Sequence, residues 1–341
     1  MPDQKALLLP QKQGQFVVDN WPIPSPGHGE VLIKVQATAL NPVDWKMRKV
    51  GFLIDKYPAV FGWDFSGDVE VVGEGVEGFE KGDRVTGMSY PARGNGTFQQ
   101  YILMPARLVV KIPPSLNYVD AASMPVGYGT AALGLLAAPP LGAGLNPSCD
   151  FSVNHAGEAA FVFGGSSSVG QFAIQILRKM KYSPIITYAS ARHTEFLKSL
   201  GATHVIDRAA TPTSSVPDTV RALAGGAAIN IAYDAISEPD TQEACFSLLS
   251  QGGVAVAIQG GEDKDVGGRK LIHIVLEAHG DGEFGEGMWK SLGRQLEEGV
   301  IVPNRTEILP NGLAGIIDGL KRMEDNGVSG VKLVALPQET S

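Results

Sequence analysis

The stretch from Ala159 to Arg178 constrains the fold more than any other part of the chain. An apolar run, Ala159-Ala-Phe-Val-Phe163, meets the glycine-rich turn Gly164-Gly-Ser-Ser-Ser-Val-Gly170 and leads into Gln171-Phe-Ala-Ile-Gln-Ile-Leu-Arg178. This order reads as a buried strand, a tight turn and a helix that opens on the turn. Glycine lets a backbone approach phosphate closely, and a helix N-terminus presents N–H groups and the positive end of its dipole. A second strand (184–190), a helix and a third short strand, His204-Val-Ile-Asp207, continue the alternation. The predicted unit is βαβαβ, half of a dinucleotide-binding sheet.

Within the turn, Gly165, Ser166, Ser167, Ser168, Val169 and Gly170 are the candidate pyrophosphate-binding residues. They depart from the G-x-G-x-x-G pattern, with serine where the second glycine would stand. A serine hydroxyl and backbone N–H can both donate to phosphate oxygens, so the exchange keeps the chemistry. At the end of the second strand an NAD-binding protein places Asp or Glu against the ribose 2′-hydroxyl. This chain has Ser190-Ala-Arg192-His193 there, with Arg208 just after the third strand. A hydroxyl and guanidinium groups suit a 2′-phosphate, which a carboxylate would repel, and NADPH is the expected cofactor. The competing reading of Arg192 is the start of an exposed helix.

At 341 residues, with 44% hydrophobic and 19% charged content, the chain is long enough for two domains and ordinary for a soluble globular protein. A net charge of −8, without a block of lysine and arginine, argues against a nucleic-acid partner. There is no apolar run of transmembrane length and no secretory leader, so the expected location is cytoplasmic. Cys149 and Cys245 are the two cysteines, read as reduced thiols. Six scattered histidines offer no ligand cluster for zinc.

Residues to about 125 are rich in glycine, proline and β-branched side chains, with strands expected at 31–39 and 67–73. A small-residue helix is expected over 121–134, followed by a surface loop over 139–157. Further strands are expected at 230–235 and 253–258, then two helices after about 275 and a last strand at 331–335.

Five ordered motifs now coincide: Asn41-Pro-Val-Asp44, Gly62-Trp-Asp-Phe-Ser-Gly67, Val72-Gly-Glu-Gly-Val76, Gly82-Asp-Arg-Val85 and the turn ending at Gly170. Over essentially its whole length the chain resembles the zinc-independent branch of the medium-chain dehydrogenase/reductase superfamily, the quinone oxidoreductases and enoyl reductases. The segments Asn41–Arg48, the proline-rich loop and Ser190–His193 look most like fungal enoyl reductases, including those that act in trans on polyketide synthases. The resemblance implies an α/β protein: a GroES-like β domain (1–125), a Rossmann doubly wound parallel-sheet domain (126–275), and a return to the first domain (276–341), with the nicotinamide in the cleft between them. Zinc-dependent relatives place Cys near Asn41 and His-Glu where this chain has Trp63-Asp64, so no metal is expected.

Without a metal, the hydride donor is the reduced nicotinamide, and an activated C=C is the expected acceptor. Lys46 is the first candidate for the polar role at the reacting atoms or the cofactor ribose, against a solvated surface lysine. Tyr57 and Tyr128 are candidate proton donors, Tyr128 the better, against aromatic packing for each. Asp44 and Lys332 join the expected cofactor contacts, Lys332 because Ser329-Gly-Val-Lys332 resembles the family's final cofactor-contacting turn, against Asn41 and Asp44 shaping their own loop and a strand-initiating turn at Lys332. The expected partners are an enoyl, enone or quinone substrate and an acyl carrier of a polyketide synthase. Monomer and homodimer both stay open. Two functions of different class remain: an NADPH-dependent enoyl or quinone reductase, and a noncatalytic NADPH-binding protein like the quinone-reductase relatives that became lens proteins.

Overall fold

Every second residue from Val31 to Ala39 is fully buried, so this stretch lays one continuous face on a core, as the period of a strand requires. The computed structural model describes residues 3–274 and 282–340. The first elements are β1 (Asp3–Leu9), β2 (Val17–Pro22), β3 (Glu30–Ala39), α1 (Pro42–Val50), β4 (Ala59–Val60), β5 (Asp64–Val72), β6 (Arg84–Met88), β7 (Tyr101–Pro105), β8 (Val109–Lys111) and α2 (Tyr118–Ala122). There follow α3 (Pro125–Leu136), β9 (Ala159–Phe163), α4 (Ser168–Lys179), β10 (Ile185–Ala189), α5 (Thr194–Leu200), β11 (His204–Asp207), α6 (Val216–Ala224), β12 (Ile229–Asp234), α7 (Pro239–Leu248), β13 (Val254–Ala257), β14 (Lys264–Val266), β15 (Arg269–His273) and α8 (Gly282–Glu297). The described chain closes with β16 (Thr306–Ile308), α9 (Gly315–Glu324) and β17 (Lys332–Ala335).

Two units result. One comprises Met1–Val126 and Leu292–Ser341; the other is Gly127–Ser291. The expected boundary at 275/276 lies outside the described residues. In the first unit β2-β1-β4 form one sheet, and β16-β17-β3-β5-β6-β8 a second, with β7 also paired to β3. The strand β17 pairs antiparallel with β3, Val334 opposite Ala39, which ties residues near the end of the chain into a sheet begun near its start.

The second unit is a sheet in the order β11-β10-β9-β12-β13-β15-β14, parallel apart from the hairpin strand β14. The first six positions reproduce the 3-2-1-4-5-6 order of a doubly wound dinucleotide-binding sheet, with the switch of direction between β9 and β12. Phe161, Ile186, Val220, Ala232 and Ala255 belong to one of its buried clusters. Alanine at Phe161 would cost about 3–5 kcal/mol there.

Three details differ from the sequence reading. The helix expected over 121–134 breaks after Ala122 and resumes at Pro125, because proline has no N–H to continue the ladder but suits a first helical position. The hairpin β14–β15 turns at Gly267-Gly268, both at positive φ (58° and 73°), a two-residue turn the sequence reading missed. The short strand β16, also unexpected, pairs parallel with β17. Among the described residues no helix is long and apolar enough to cross a membrane.

Candidate functional site

The turn between β9 and α4 is built by close approach. Gly164 sits at φ 77°. A Cβ on Gly165 would come 2.0 Å from Thr187 Oγ1, and one on Gly170 would come 2.3 Å from the Gly164 carbonyl. Thr187 cannot yield, since its side chain is buried and donates to the Val162 carbonyl at 2.8 Å. Glycine is therefore required for helix–strand contact as much as for access to a ligand. Ser167 is the N-cap: its Oγ accepts from Gly170 N at 3.0 Å. Ser166 offers its carbonyl to Gln171 Nε2 at 3.0 Å. Ser168 and Val169 open α4, where first-turn N–H groups and the helix dipole favour an anion.

One strand over, Ser190, Arg192 and His193 form a short 3-10 turn after β10. Arg192 is exposed and its Nε donates to His193 Nε2 at 3.2 Å. His193, 93% buried, thus lies behind Arg192 and orients it. Arg208, exposed after β11, donates its backbone N–H to the Ala189 carbonyl at 2.9 Å. The turn, Ser190, Arg192 and Arg208 all lie at the carboxyl ends of the adjacent strands β9, β10 and β11, the edge on which open α/β sheets bind ligands.

Sequence reasoning missed two carboxylates at that edge. Asp207 Oδ1 accepts from Ala191 N at 3.1 Å and from Ala209 N at 3.2 Å. Asp234, buried at the end of β12, accepts from Ile236 N and Ser237 N at 2.9 Å each and from Thr241 Oγ1 at 2.6 Å. Burial pushes the Asp234 carboxyl above its ordinary value. The legible signal for Asp234 was its place at a strand end before Ser237-Glu-Pro239, a turn leading into a helix.

In the first unit, Asn41, Asp44, Asp64 and Lys332 make one buried polar network. Lys332 Nζ donates to Asn41 Oδ1 at 2.6 Å and pairs with Asp64 Oδ2 at 2.9 Å. Asn41 Nδ2 donates to the same Asp64 oxygen at 2.8 Å, and Val126 N to the other at 2.6 Å. Asp44 accepts from Asn41 N at 2.8 Å and Gly62 N at 3.2 Å, which caps α1. Burial pushes its carboxyl up to about 7, with nearby Asp64 adding to the rise, against the lowering hydrogen bond from Asn41. The polar atoms of Asp44 and Lys332, expected at the cofactor, are thus engaged inside this network. They hold the Asn41 turn in place.

Lys46 is half-buried on α1, one residue beyond Trp45, whose ring centroid lies 5.7 Å from Nζ. Tyr128 is fully buried on α3, edge-on to Phe172 at 6.1 Å between centroids. Tyr128, the preferred candidate proton donor, thus has no exposed surface and packs its ring on Phe172. The Tyr57 hydroxyl donates locally to the Ile54 carbonyl at 3.2 Å.

The residues present do not fit a zinc ion. Trp63 has no ligand atom, and the polar side chains of Asn41 and Asp64, at positions where the zinc-dependent relatives carry ligands, already bond the Lys332 ammonium. Among the described residues no group of three or more His, Cys, Asp or Glu side chains is placed to hold a metal.

Comparison with known proteins agrees with this architecture. Residues 27–114 match the family described as alcohol dehydrogenase GroES-like domain, and residues 168–278 the family described as zinc-binding dehydrogenase. The dehydrogenase azaJ of Aspergillus niger is 32% identical, over 98% of this chain and 99% of its own. The trans-enoyl reductase resD of Aspergillus sclerotiorum is 30% identical, over 93% and 96%. A mycobacterial protein solved in complex with NADPH, Rv1454c, shares the fold with a TM-score of 0.79 at 24% identity, over 98% and 100% of the two chains. With a GroES-like unit, a doubly wound sheet and curated relatives matched almost end to end, this chain belongs to the medium-chain dehydrogenase/reductase superfamily and is an oxidoreductase with fungal dehydrogenase and trans-enoyl reductase homologues.

Proposed function

We propose that this oxidoreductase reduces a carbon–carbon double bond conjugated to a carbonyl, using NADPH and no metal ion, and leaves the carbonyl intact. The observation that carries the reading is the Lys332–Asn41–Asp64 network. The network keeps Asn41 and Asp64 engaged and Trp63 offers no ligand atom, so no Lewis acid is held here to polarise a C–O bond, which favours a conjugated C=C over direct attack on a carbonyl. The likeness to a trans-enoyl reductase supports the same class, with an enoyl thioester on an acyl carrier as the substrate form.

The reduced nicotinamide supplies the hydride. The chain's own residues bind and orient. The first turn of α4, with Gly165, Ser166, Ser167, Ser168, Val169 and Gly170, holds the pyrophosphate. Ser190, Arg192 and Arg208 hold the 2′-phosphate, with His193 fixing the Arg192 guanidinium. Lys46 is assigned to the carbonyl oxygen, where negative charge develops as the β-carbon is reduced, before the α-carbon takes a proton.

The test is product analysis with NADPH deuterated at the transferred position. Deuterium is expected on the β-carbon of a saturated ketone or thioester, with turnover unchanged by chelator; deuterium on a carbinol carbon would make the chain a carbonyl reductase. Lys46→Ala should lower kcat by roughly ten- to a thousandfold with the fold retained. A ratio near one would remove Lys46 from the mechanism and leave the reaction class standing.

A further inference from the structure

The rim proposed to bind the 2′-phosphate is built from two turns that are not contiguous in sequence, and one side chain joins them. After β10 comes Ser190–His193; after β11 comes Arg208–Thr211. The strands pair in parallel with Ala189 opposite Asp207. The Asp207 backbone carbonyl accepts from Ala210 N at 3.1 Å and Thr211 N at 3.0 Å, which folds the second turn. Tyr188 Oη donates to the Thr211 carbonyl at 2.8 Å and anchors that turn over β10. The Asp207 side chain then reaches across: Oδ1 accepts both Ala191 N of the first turn and Ala209 N of the second.

We propose that Asp207 is a positioning residue for NADPH recognition, its carboxylate clamping the Ser190–His193 turn to the Arg208–Thr211 turn so that Arg192 and Arg208 face one anion. The inference rests on the NADPH reading above. An acid in this region looks at first like a sign of NADH, since a carboxylate that accepts from ribose hydroxyls selects against a 2′-phosphate. Asp207 differs in its location and its partners. It stands on the third strand, one removed from the position that reads the ribose, and the oxygen that crosses between the turns is occupied by two backbone N–H groups. The clamp also restrains Arg192. Its neighbour Ala191 is held by Asp207, while its own Nε is held by His193, whose backbone N–H donates to the Ser190 carbonyl at 3.0 Å. A guanidinium held in this way loses less side-chain freedom when it binds, so the clamp raises affinity without touching the ligand.

The experiment titrates NADPH and NADH by fluorescence against wild type, Asp207→Asn, Asp207→Ala and Arg192→Ala, with thermal melts to confirm folding. Asparagine retains an oxygen that accepts both N–H groups, so Asp207→Asn is expected to keep NADPH affinity or tighten it. Asp207→Ala removes the acceptor and is expected to weaken NADPH by roughly five- to fiftyfold, as for two lost hydrogen bonds, with NADH changed less than twofold. Should Asp207→Ala melt early, Ala191→Pro removes the donor of the crossing bond instead. Ser190 at φ −69° and ψ 135° already has the conformation a residue before proline takes. Ala191→Pro is expected to cause the same selective loss. If Asp207→Ala and Asp207→Asn both tighten NADPH, or if Asp207→Ala and Ala191→Pro leave it within twofold while Arg192→Ala weakens it, the positioning role is overturned and the NADPH reading stands. If wild type binds both cofactors equally and Arg192→Ala changes nothing, the NADPH reading falls and takes this role with it.

Discussion

The two polar constructions of this protein solve the same problem by opposite means. The turn at Gly164–Gly170 is made by backbone: seven neighbouring residues, glycine where a Cβ cannot fit, and one serine capping a helix. The Asn41–Asp64–Lys332 network is made by side-chain charge, and its closing bond spans 291 residues of sequence. The first is rigid because nothing larger fits. The second is rigid because every charge has a partner, and that rigidity depends on all of them being present.

The sharpest way to break the comparison is to remove one charge from the network. Lys332→Met leaves Asp64 fully buried without its cation, and stability should fall by about 3–5 kcal/mol in urea denaturation. A loss under 1 kcal/mol would mean that the network tolerates an unpaired carboxylate. Next comes the turn. Gly165→Ala sets a methyl group against Thr187 and should cost about 1–3 kcal/mol, with cofactor affinity falling as the turn is displaced. Here a variant that loses affinity at unchanged stability would show that the turn gives way more easily than the sheet beneath it.

The smallest effect is a slope with pH. Asp44 has a folded pKa raised by burial from 3.8 to about 7, so between those values the folded state binds more protons than the unfolded one. The group's contribution is fully present below about pH 4 and is lost as pH rises through 7, at no more than about 1.4 kcal/mol per pH unit. Thermal melts from pH 5 to 8 should therefore show wild type losing stability more steeply than Asp44→Asn. The asparagine variant also loses stability at every pH, because its amide cannot accept both the Asn41 and Gly62 N–H groups. Parallel slopes would place the titration on another group.

What could be read from sequence follows the same division. The strand-turn-helix over Ala159–Lys179, and the basic residues after β10 and β11, were legible because each is a local pattern in which glycine, serine and arginine have few other uses. The partnership of Lys332 with Asn41 and Asp64 was not, since it exists only once β17 has paired with β3. The burial of Tyr128 was not legible for a related reason. A phenol near the start of a small-residue helix reads as accessible until Phe172 of another helix is found against its ring. Asp207 ends a strand in an ordinary way, and its contact with Ala191 depends on the pairing of β10 and β11. The hairpin β14–β15 was overlooked despite its Gly-Gly turn, because β14 is a short exposed strand without an apolar alternation to mark it.

The pairing of β17 with β3 also sets an order of events during synthesis. Residues 127–291, one whole unit, leave the ribosome before residues 332–335 are made. The earlier unit must wait for them. Until Lys332 emerges, Asn41 and Asp64 have no cation between them, so this network closes only after the whole of the second unit has been synthesised.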